Sequence, residues 1–234
     1  MTRPPLVLPA LGPRQQLHAG RTVRRLVQLY AGLALYGWSM AMMLRGGLGL
    51  APWDVLNEGL ATRLPLSYGE ITMVIGVLVL LLWIPLRQWP GLGTVSNVVV
   101  IGITVDVGLA VLPAPEPLAA RMALMVGGVV LNGLAGAAYV GSWFGAGPRD
   151  GLMTGLVTRT GRSVRLVRTS IEVVVLALGW LLGGTVGIGT VLYAVGIGPL
   201  VQFFLPWVAV RLPDVSPTRP RPRVAAPAGR PGNG

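Results

Sequence analysis

Long runs of apolar residues, separated by short polar or Pro/Gly-rich stretches, dominate the pattern along this chain. Each run has about 20 residues, the length that an α-helix needs to cross the roughly 30 Å hydrocarbon core of a bilayer. The pattern therefore predicts six transmembrane helices. They cover residues 26–44, 67–86, 92–112, 122–140, 164–182 and 188–210.

The composition excludes an ordinary water-soluble protein. Hydrophobic residues make up 53% of the 234 residues and charged residues only 12%, about half the usual charged fraction of a soluble domain. The chain has no Cys and one His, His18, so we expect neither disulfides nor a metal or catalytic centre built on these residues. We expect no cofactor and no enzymatic reaction.

The membrane region is predicted to be an internal duplication. Shifting the chain by 96 residues against itself gives 28 identities over the 87 positions of residues 26–112, where a biased composition alone would give about a tenth. Pro52 and Asp54 fall on Pro148 and Asp150 in this alignment. The predicted organisation is a disordered tail at 1–20, repeats at 21–113 and 118–211, and a disordered Pro/Arg-rich tail at 212–234.

Three spans in each repeat would make the second repeat enter the membrane from the opposite side, so the repeats are predicted to be inverted. All 19 basic residues are Arg: 16 lie on one predicted side, and Arg45, Arg63 and Arg121 lie on the other. Because basic residues favour the cytoplasmic side, both termini are predicted in the cytoplasm. The fold class is an all-α polytopic protein of the bacterial inner membrane.

The same Arg distribution predicts contact with anionic lipids at the cytoplasmic face. Most of these Arg residues flank apolar segments, and no segment looks like a soluble nucleic-acid-reading module. Nucleic-acid binding is therefore not expected.

The best pointer to a binding site is the connector that follows the first span of each repeat. Each connector has a Gly-rich stretch, then Pro and Asp, then about ten moderately apolar residues. Short Gly/Pro-interrupted segments at matching positions of two repeats are typical of transporter sites. The candidate substrate-binding residues are therefore Pro52, Asp54, Pro148 and Asp150, on short helices that are either re-entrant or interfacial.

A structural role for the same residues stays open. Pro suits the first position of a helix, and Asp in the first turn complements the helix dipole. In that case the two Asp side chains would lie at opposite interfaces, about 30 Å apart.

Asp106 is the remaining candidate, because a carboxylate within an apolar span is costly. It either belongs to the site or reaches headgroup water or Arg45 near the end of its helix. Other polar and small residues are expected to be structural. Arg168 and Glu172 have the spacing of a helical ion pair, and close helix packing is expected of Gly91, Gly93, Thr94, Gly187, Gly189 and Thr190.

The run from Gly49 to Leu56, which contains Pro52-Trp-Asp54, is followed by Gly59, by Ser67-Tyr-Gly69 and by Gly91-Leu-Gly-Thr94. In this order and spacing the chain resembles the bacterial YczE/YyaS/YitT-type integral membrane proteins over most of residues 26–210. The resemblance implies a small polytopic inner-membrane protein and no catalytic residue. In the second repeat Arg149 stands in place of Trp53.

The sequence therefore predicts a small-solute transporter or transport-associated subunit with its site between the repeats. Two alternatives stay open: a membrane subunit that captures a substrate for a separate energy-coupling ATPase, and a non-transporting scaffold or accessory protein. The solute and the oligomeric state are left open.

Overall fold

The computed structural model describes residue 16 and residues 19–212. Residues 19–212 form eight α-helices and no strand. Most of the two predicted tails, 1–20 and 212–234, lies outside the described residues. The helices are α1 (Thr22–Gly46), α2 (Pro52–Ala61), α3 (Tyr68–Leu86), α4 (Leu92–Val111), α5 (Leu118–Val140), α6 (Pro148–Thr160), α7 (Val164–Leu181) and α8 (Ile188–Val208).

The six long helices begin and end within four residues of the bounds predicted from the apolar runs. Helices α2 and α6 are the two short connectors, and each begins at the Pro of its Pro-x-Asp sequence. The all-α class is thus confirmed.

Five helices, namely α1, α3, α4, α5 and α8, are long and apolar enough to span a membrane. Helix α7 is not among them, since its 18 residues include Arg165, Arg168 and Glu172. Five of the six predicted spans are therefore supported by length and apolarity, and α7 does not meet the same criterion.

Helices α1 and α5 pack against each other in antiparallel orientation at the centre of the molecule. Arg25, at the start of α1, donates to the carbonyl of Ser142 just beyond the end of α5, with an Nε–O distance of 2.9 Å. Arg121, near the start of α5, donates at the same distance to the carbonyl of Gly46 at the end of α1. Lone carbonyls at helix C-termini favour such cationic donors.

Glycines bring the backbones of α1 and α5 together. A Cβ on Gly32 would lie 2.9 Å from the backbone N of Tyr139, and a Cβ on Gly128 would lie 2.7 Å from Cγ of Met43. Only a residue without a side chain allows this approach, as is common between membrane helices.

The short helices cross between the two halves of the chain. Helix α2 of the first half packs on α7 of the second, and α6 of the second half packs on α3 of the first. Gly179 lets α2 approach α7, since its Cβ would lie 2.5 Å from the carbonyl carbon of Val55. At the contact between α6 and α3 the glycine lies on the short helix instead, where Gly151 faces the ring of Trp83.

The predicted packing glycines lie where the connectors meet the far half of the chain. The amide of Gly93 donates to the carbonyl of Phe144, and the amide of Gly189 donates to the carbonyl of Leu48, both at 2.8 Å. Each first-turn Thr accepts from its own helix start: Thr94 from Gly91 at 3.2 Å, and Thr190 from Gly187 at 3.3 Å. The first connector is therefore bonded to the start of α8, and the second connector is bonded to the start of α4.

Candidate functional site

A cavity of about 380 Å³ lies in the middle of the helix bundle, where the N-termini of α2 and α6 meet. We call it the central cavity. Its volume lies in the lower part of the range for small-ligand pockets. The polar side chains of its wall come from both halves of the chain and include Tyr36, Asn97, Asn132, Tyr139, Arg149, Asp150, Arg168, Glu172, Tyr193 and Gln202.

The starts of the two short helices form one side of the central cavity. Pro52 and Pro148 both line it, each at the first helical position, where a missing N–H costs nothing. Asp54 lies in the first turn of α2 and is 3% exposed. Its Oδ1 is 3.4 Å from Nη2 of Arg149 on α6. The structure thus brings Pro52, Asp54, Pro148 and Asp150 together and does not have the two Asp side chains at opposite membrane faces.

Arg149 also stacks on Trp53. Its guanidinium carbon is 5.0 Å from the centre of the ring, a distance at which a cation is attracted to an aromatic face. The ion pair and the stacking hold the Arg149 side chain between α2 and α6. In the repeat alignment these two residues occupy the same position, so the cation and the ring meet where the two connectors face each other.

The remaining charged groups of the wall are unevenly paired. Arg168 and Glu172 form an ion pair at 2.9 Å across one turn of α7. Asp150 accepts a hydrogen bond from the hydroxyl of Tyr139 at 3.2 Å. Among the described residues, no Arg lies within ion-pair distance of Asp150, although Arg168 and Arg149 are near enough to attract it electrostatically.

A chain of hydrogen bonds joins the long helices that line the central cavity. The Tyr36 and Tyr193 hydroxyls are 3.5 Å apart, and Tyr193 donates to Oδ1 of Asn132 at 3.1 Å. The Asn132 amide in turn donates to Ser39 at 2.8 Å. The chain ties α1, α5 and α8 together and presents hydroxyl groups to the cavity.

Burial raises the pKa of Asp54 above that of a solvated aspartate, and the neighbouring Arg149 opposes this shift. Helix α2 is too short to span the membrane, and its first turn is enclosed by protein. Arg149 thus favours the charged form of Asp54, because a neighbouring cation lowers the pKa of a carboxyl group.

Asp106 does not line the central cavity. It lies on α4, where its carboxylate accepts from the Ser67 hydroxyl at 2.5 Å and from the Gly69 amide at 2.7 Å. It therefore supports the N-terminus of α3, which Ser67 and Glu70 already cap, and this is a structural role for a carboxylate at a helix start. Its repeat mate Gln202 does line the cavity. Arg45, the other partner considered for Asp106, donates to the carbonyl of Leu109 instead.

Sequence reasoning missed the tyrosines of the wall. A signal was present, because Tyr36 aligns with Asn132 and Asn97 aligns with Tyr193 when the chain is shifted by 96 residues. Polar residues within apolar helices at matching positions of both repeats mark the wall of the cavity. Among the described residues, no three His, Cys, Asp or Glu side chains are grouped so as to hold a metal ion.

Comparison with known proteins identifies the family of this chain, but the names of the family and of its relatives state no reaction. Residues 23–206 match the model of a family of unknown function, DUF6198. The chain is 41% identical over 187 residues to an uncharacterised protein of Haemophilus influenzae, covering 80% of this chain and 85% of the relative. No solved structure matches the chain.

Two relatives come from Bacillus subtilis. The chain is 34% identical over 179 residues to the uncharacterised membrane protein YczE, covering 76% of this chain and 83% of the relative. It is 28% identical over 181 residues to the uncharacterised protein YyaS, covering 76% and 90%. The resemblance found in the sequence is therefore confirmed for YczE and YyaS, and the apolar helices agree with the membrane localisation in the YczE name. The chain belongs to the DUF6198 family.

Proposed function

We propose that this protein is an inner-membrane transporter that binds a small polar solute in the central cavity. The observation that carries the proposal is the cavity itself, which polar side chains from both halves line at the meeting point of two short helix N-termini. Irregular backbone at membrane depth is tolerated when it lines a water-filled cavity, and transporters place their sites at such broken helices.

The contacts between the halves support an inverted-repeat arrangement. The bond from Gly93 to Phe144 recurs as the bond from Gly189 to Leu48, which is the same pair of positions with the halves exchanged. Two halves related by a twofold axis produce contacts in such pairs. Helices α1 and α5 occupy the same position in the two repeats and pack antiparallel, as inversion requires.

Helix α7 is the sixth span in this proposal. It occupies the same position in the second repeat as α3 in the first. Its charged residues all lie in its first half, and Arg168 and Glu172 pair with each other and line the cavity. Charged residues in spanning helices are expected to face such interiors. With six spans, the Arg distribution assigns both termini to the cytoplasm.

The absence of Cys from the chain makes single-Cys accessibility a clean test. We would introduce Cys singly at Asn97 and Met153, which line the central cavity. Reaction with a membrane-impermeant maleimide would be measured in sealed right-side-out and inside-out vesicles. Transport by alternating access predicts labelling of both cavity positions from both sides, in different conformations of the protein.

Three further variants supply the controls. Cys at Val195, which is 71% exposed on the outer surface of α8, should resist the reagent because it faces lipid. Cys at Glu116 should react only from outside, and Cys at Arg162 only from the cytoplasm. Cavity positions that react from one side alone would contradict transport and favour substrate capture. Cavity positions that react from neither side would remove the solute site and favour a scaffold.

A further inference from the structure

We propose that the ligand of the central cavity is a small organic cation, such as a substituted ammonium, with Asp150 as its counter-ion. This inference rests on the proposed function, since it requires that a solute enters the cavity. It names the chemical class of that solute from the charges and rings of the wall.

One carboxylate of the site has no Arg at ion-pair distance among the described residues. Arg149 is paired with Asp54, and Arg168 is paired with Glu172. Asp150 faces the cavity with the neutral hydroxyl of Tyr139 as a donor. With every carboxylate ionised, these five charged groups sum to one negative charge. A cation in the cavity would neutralise it.

In the described part of the chain, the cavity wall offers an anion no unpaired Arg side chain. Both Arg side chains of the wall already have carboxylate partners, so an anion would have to displace one of them. The positive ends of the two short helices are also offset by negative charge, because Asp54 and Asp150 lie in the first turns of α2 and α6. A carboxylate at that position offsets the positive end of the helix dipole.

The aromatic residues of the wall fit an organic cation. Three of the five tyrosines in the chain line this one cavity, although aromatic residues make up only 6% of the sequence. The Tyr36 and Tyr139 rings lie edge to face with their centres 6.1 Å apart. Aromatic faces attract weakly hydrated ammonium groups in preference to anions, and such rings recur around quaternary ammonium ligands.

Protection of Met153→Cys from labelling tests the proposal directly. Position 153 lies three residues after Asp150 on α6, so the two side chains are neighbours on one face of the helix. The full-length protein in vesicles would be labelled in sodium chloride, with tetramethylammonium or tetraethylammonium chloride replacing the salt at equal ionic strength. Sodium acetate and sodium phosphate would serve as the anion probes.

We expect the ammonium ions to slow labelling at position 153 and the anions to have no effect. Asp150→Asn, made in the Met153→Cys protein, should weaken this protection at least about tenfold because the charged partner is lost. Asp150→Glu should retain it. Glu116→Gln removes the same charge from an exposed loop and is the matched control, which should leave the protection unchanged.

A second variant keeps the test informative if Asp150→Asn fails to fold. Arg168→Gln frees Glu172 from its ion pair, so protection by ammonium ions should become stronger. Protection by anions instead, or labelling that no ammonium ion slows, would overturn the cation assignment while leaving the cavity accessible. An unreactive Cys at position 153 would mean that the proposed function itself fails.

Discussion

The interface between α3 and α6 supports a quantitative prediction about two residues whose sizes are exchanged between the repeats. Gly151 on α6 faces Trp83 on α3, whereas the matching positions of the other interface hold Val55 on α2 and Gly179 on α7. At these matching positions each interface therefore has one glycine. It lies on the short helix at the α3–α6 contact and on the long helix at the α2–α7 contact, where Gly179 meets the backbone of Val55 and Leu56. Exchanging the sizes at the α3–α6 interface tests whether this complementarity stabilises the fold.

Each single substitution should be costly. A Cβ on Gly151 would lie 1.9 Å from Cζ2 of Trp83, and Trp83 is 4% exposed. Gly151→Val must therefore displace the ring, with an overpacking cost of about 1–3 kcal/mol. Displacing the ring also breaks the 3.0 Å bond from the indole N–H to the Pro148 carbonyl, which contributes about 1 kcal/mol. Trp83→Gly empties the same site and should cost about 3–5 kcal/mol.

The double variant Gly151→Val with Trp83→Gly recreates the residue pair of the α2–α7 interface. We expect its loss of unfolding free energy to be smaller than the sum of the two single losses by at least about 1 kcal/mol. The free energies would be measured by reversible unfolding of the purified protein in mixed micelles with increasing sodium dodecyl sulfate, followed by circular dichroism.

A matched glycine gives the baseline for this cycle. A Cβ built on Gly196 of α8 would make only ordinary van der Waals contacts outside its own helix, the nearest at 3.8 Å from Cγ1 of Val129, so Gly196→Ala should be neutral or slightly stabilising. The size-complementarity argument is refuted if the two single effects add to within about 0.5 kcal/mol. It is equally refuted if Gly151→Ala is as well tolerated as Gly196→Ala.

Three further predictions use the same unfolding assay. Asp106→Ala should lower the unfolding free energy by about 1 kcal/mol because the start of α3 loses two hydrogen bonds, although the Ser67–Glu70 capping box remains. An unchanged value would mean that lipid headgroups or water replace these two bonds. Asn132→Ala should cost about 0.6–2 kcal/mol, the range for interhelical polar contacts in membranes. Asn97 also lines the cavity and is the control: if the hydrogen-bond chain causes the loss, Asn97→Ala should cost less. Arg25→Lys should cost about 1–2 kcal/mol, since an ammonium cannot reproduce the planar fork that reaches three carbonyls. Arg121→Lys should behave alike, because Arg121 reaches two carbonyls. A neutral result for either variant would reduce the role of that Arg to orientation.

The helices were accessible to sequence reasoning because length and apolarity determine them almost alone. Residues 188–210 form an uncharged apolar run long enough to predict a span, and the structure has α8 at Ile188–Val208. The short helices were marked by Pro52 and Pro148, whose fixed backbone angle suits a helix start. Helix α7 was the exception. Its three charged residues argue against a span, whereas its position in the second repeat matches that of α3 in the first.

The site was predictable in part. The meeting of Asp54 with the second connector was anticipated as one of two arrangements, and only the contact with Arg149 distinguishes them. That contact depends on how two helices from different halves cross, which no local pattern encodes. Arg25 and Arg121 were read only as orientation signals. Their match in the 96-residue shift was the clue that both hold helix ends from within the protein.

The pair formed by Trp53 and Arg149 has a consequence for the origin of the chain. In a dimer of two identical three-helix proteins, the residue at this position would face its own copy, and two guanidinium groups would repel each other. A single chain with both repeats can carry a ring at one copy and a cation at the other. The single chain therefore holds an arrangement that a dimer of either half alone cannot form. Two separately expressed halves could rebuild the cavity only as a heterodimer.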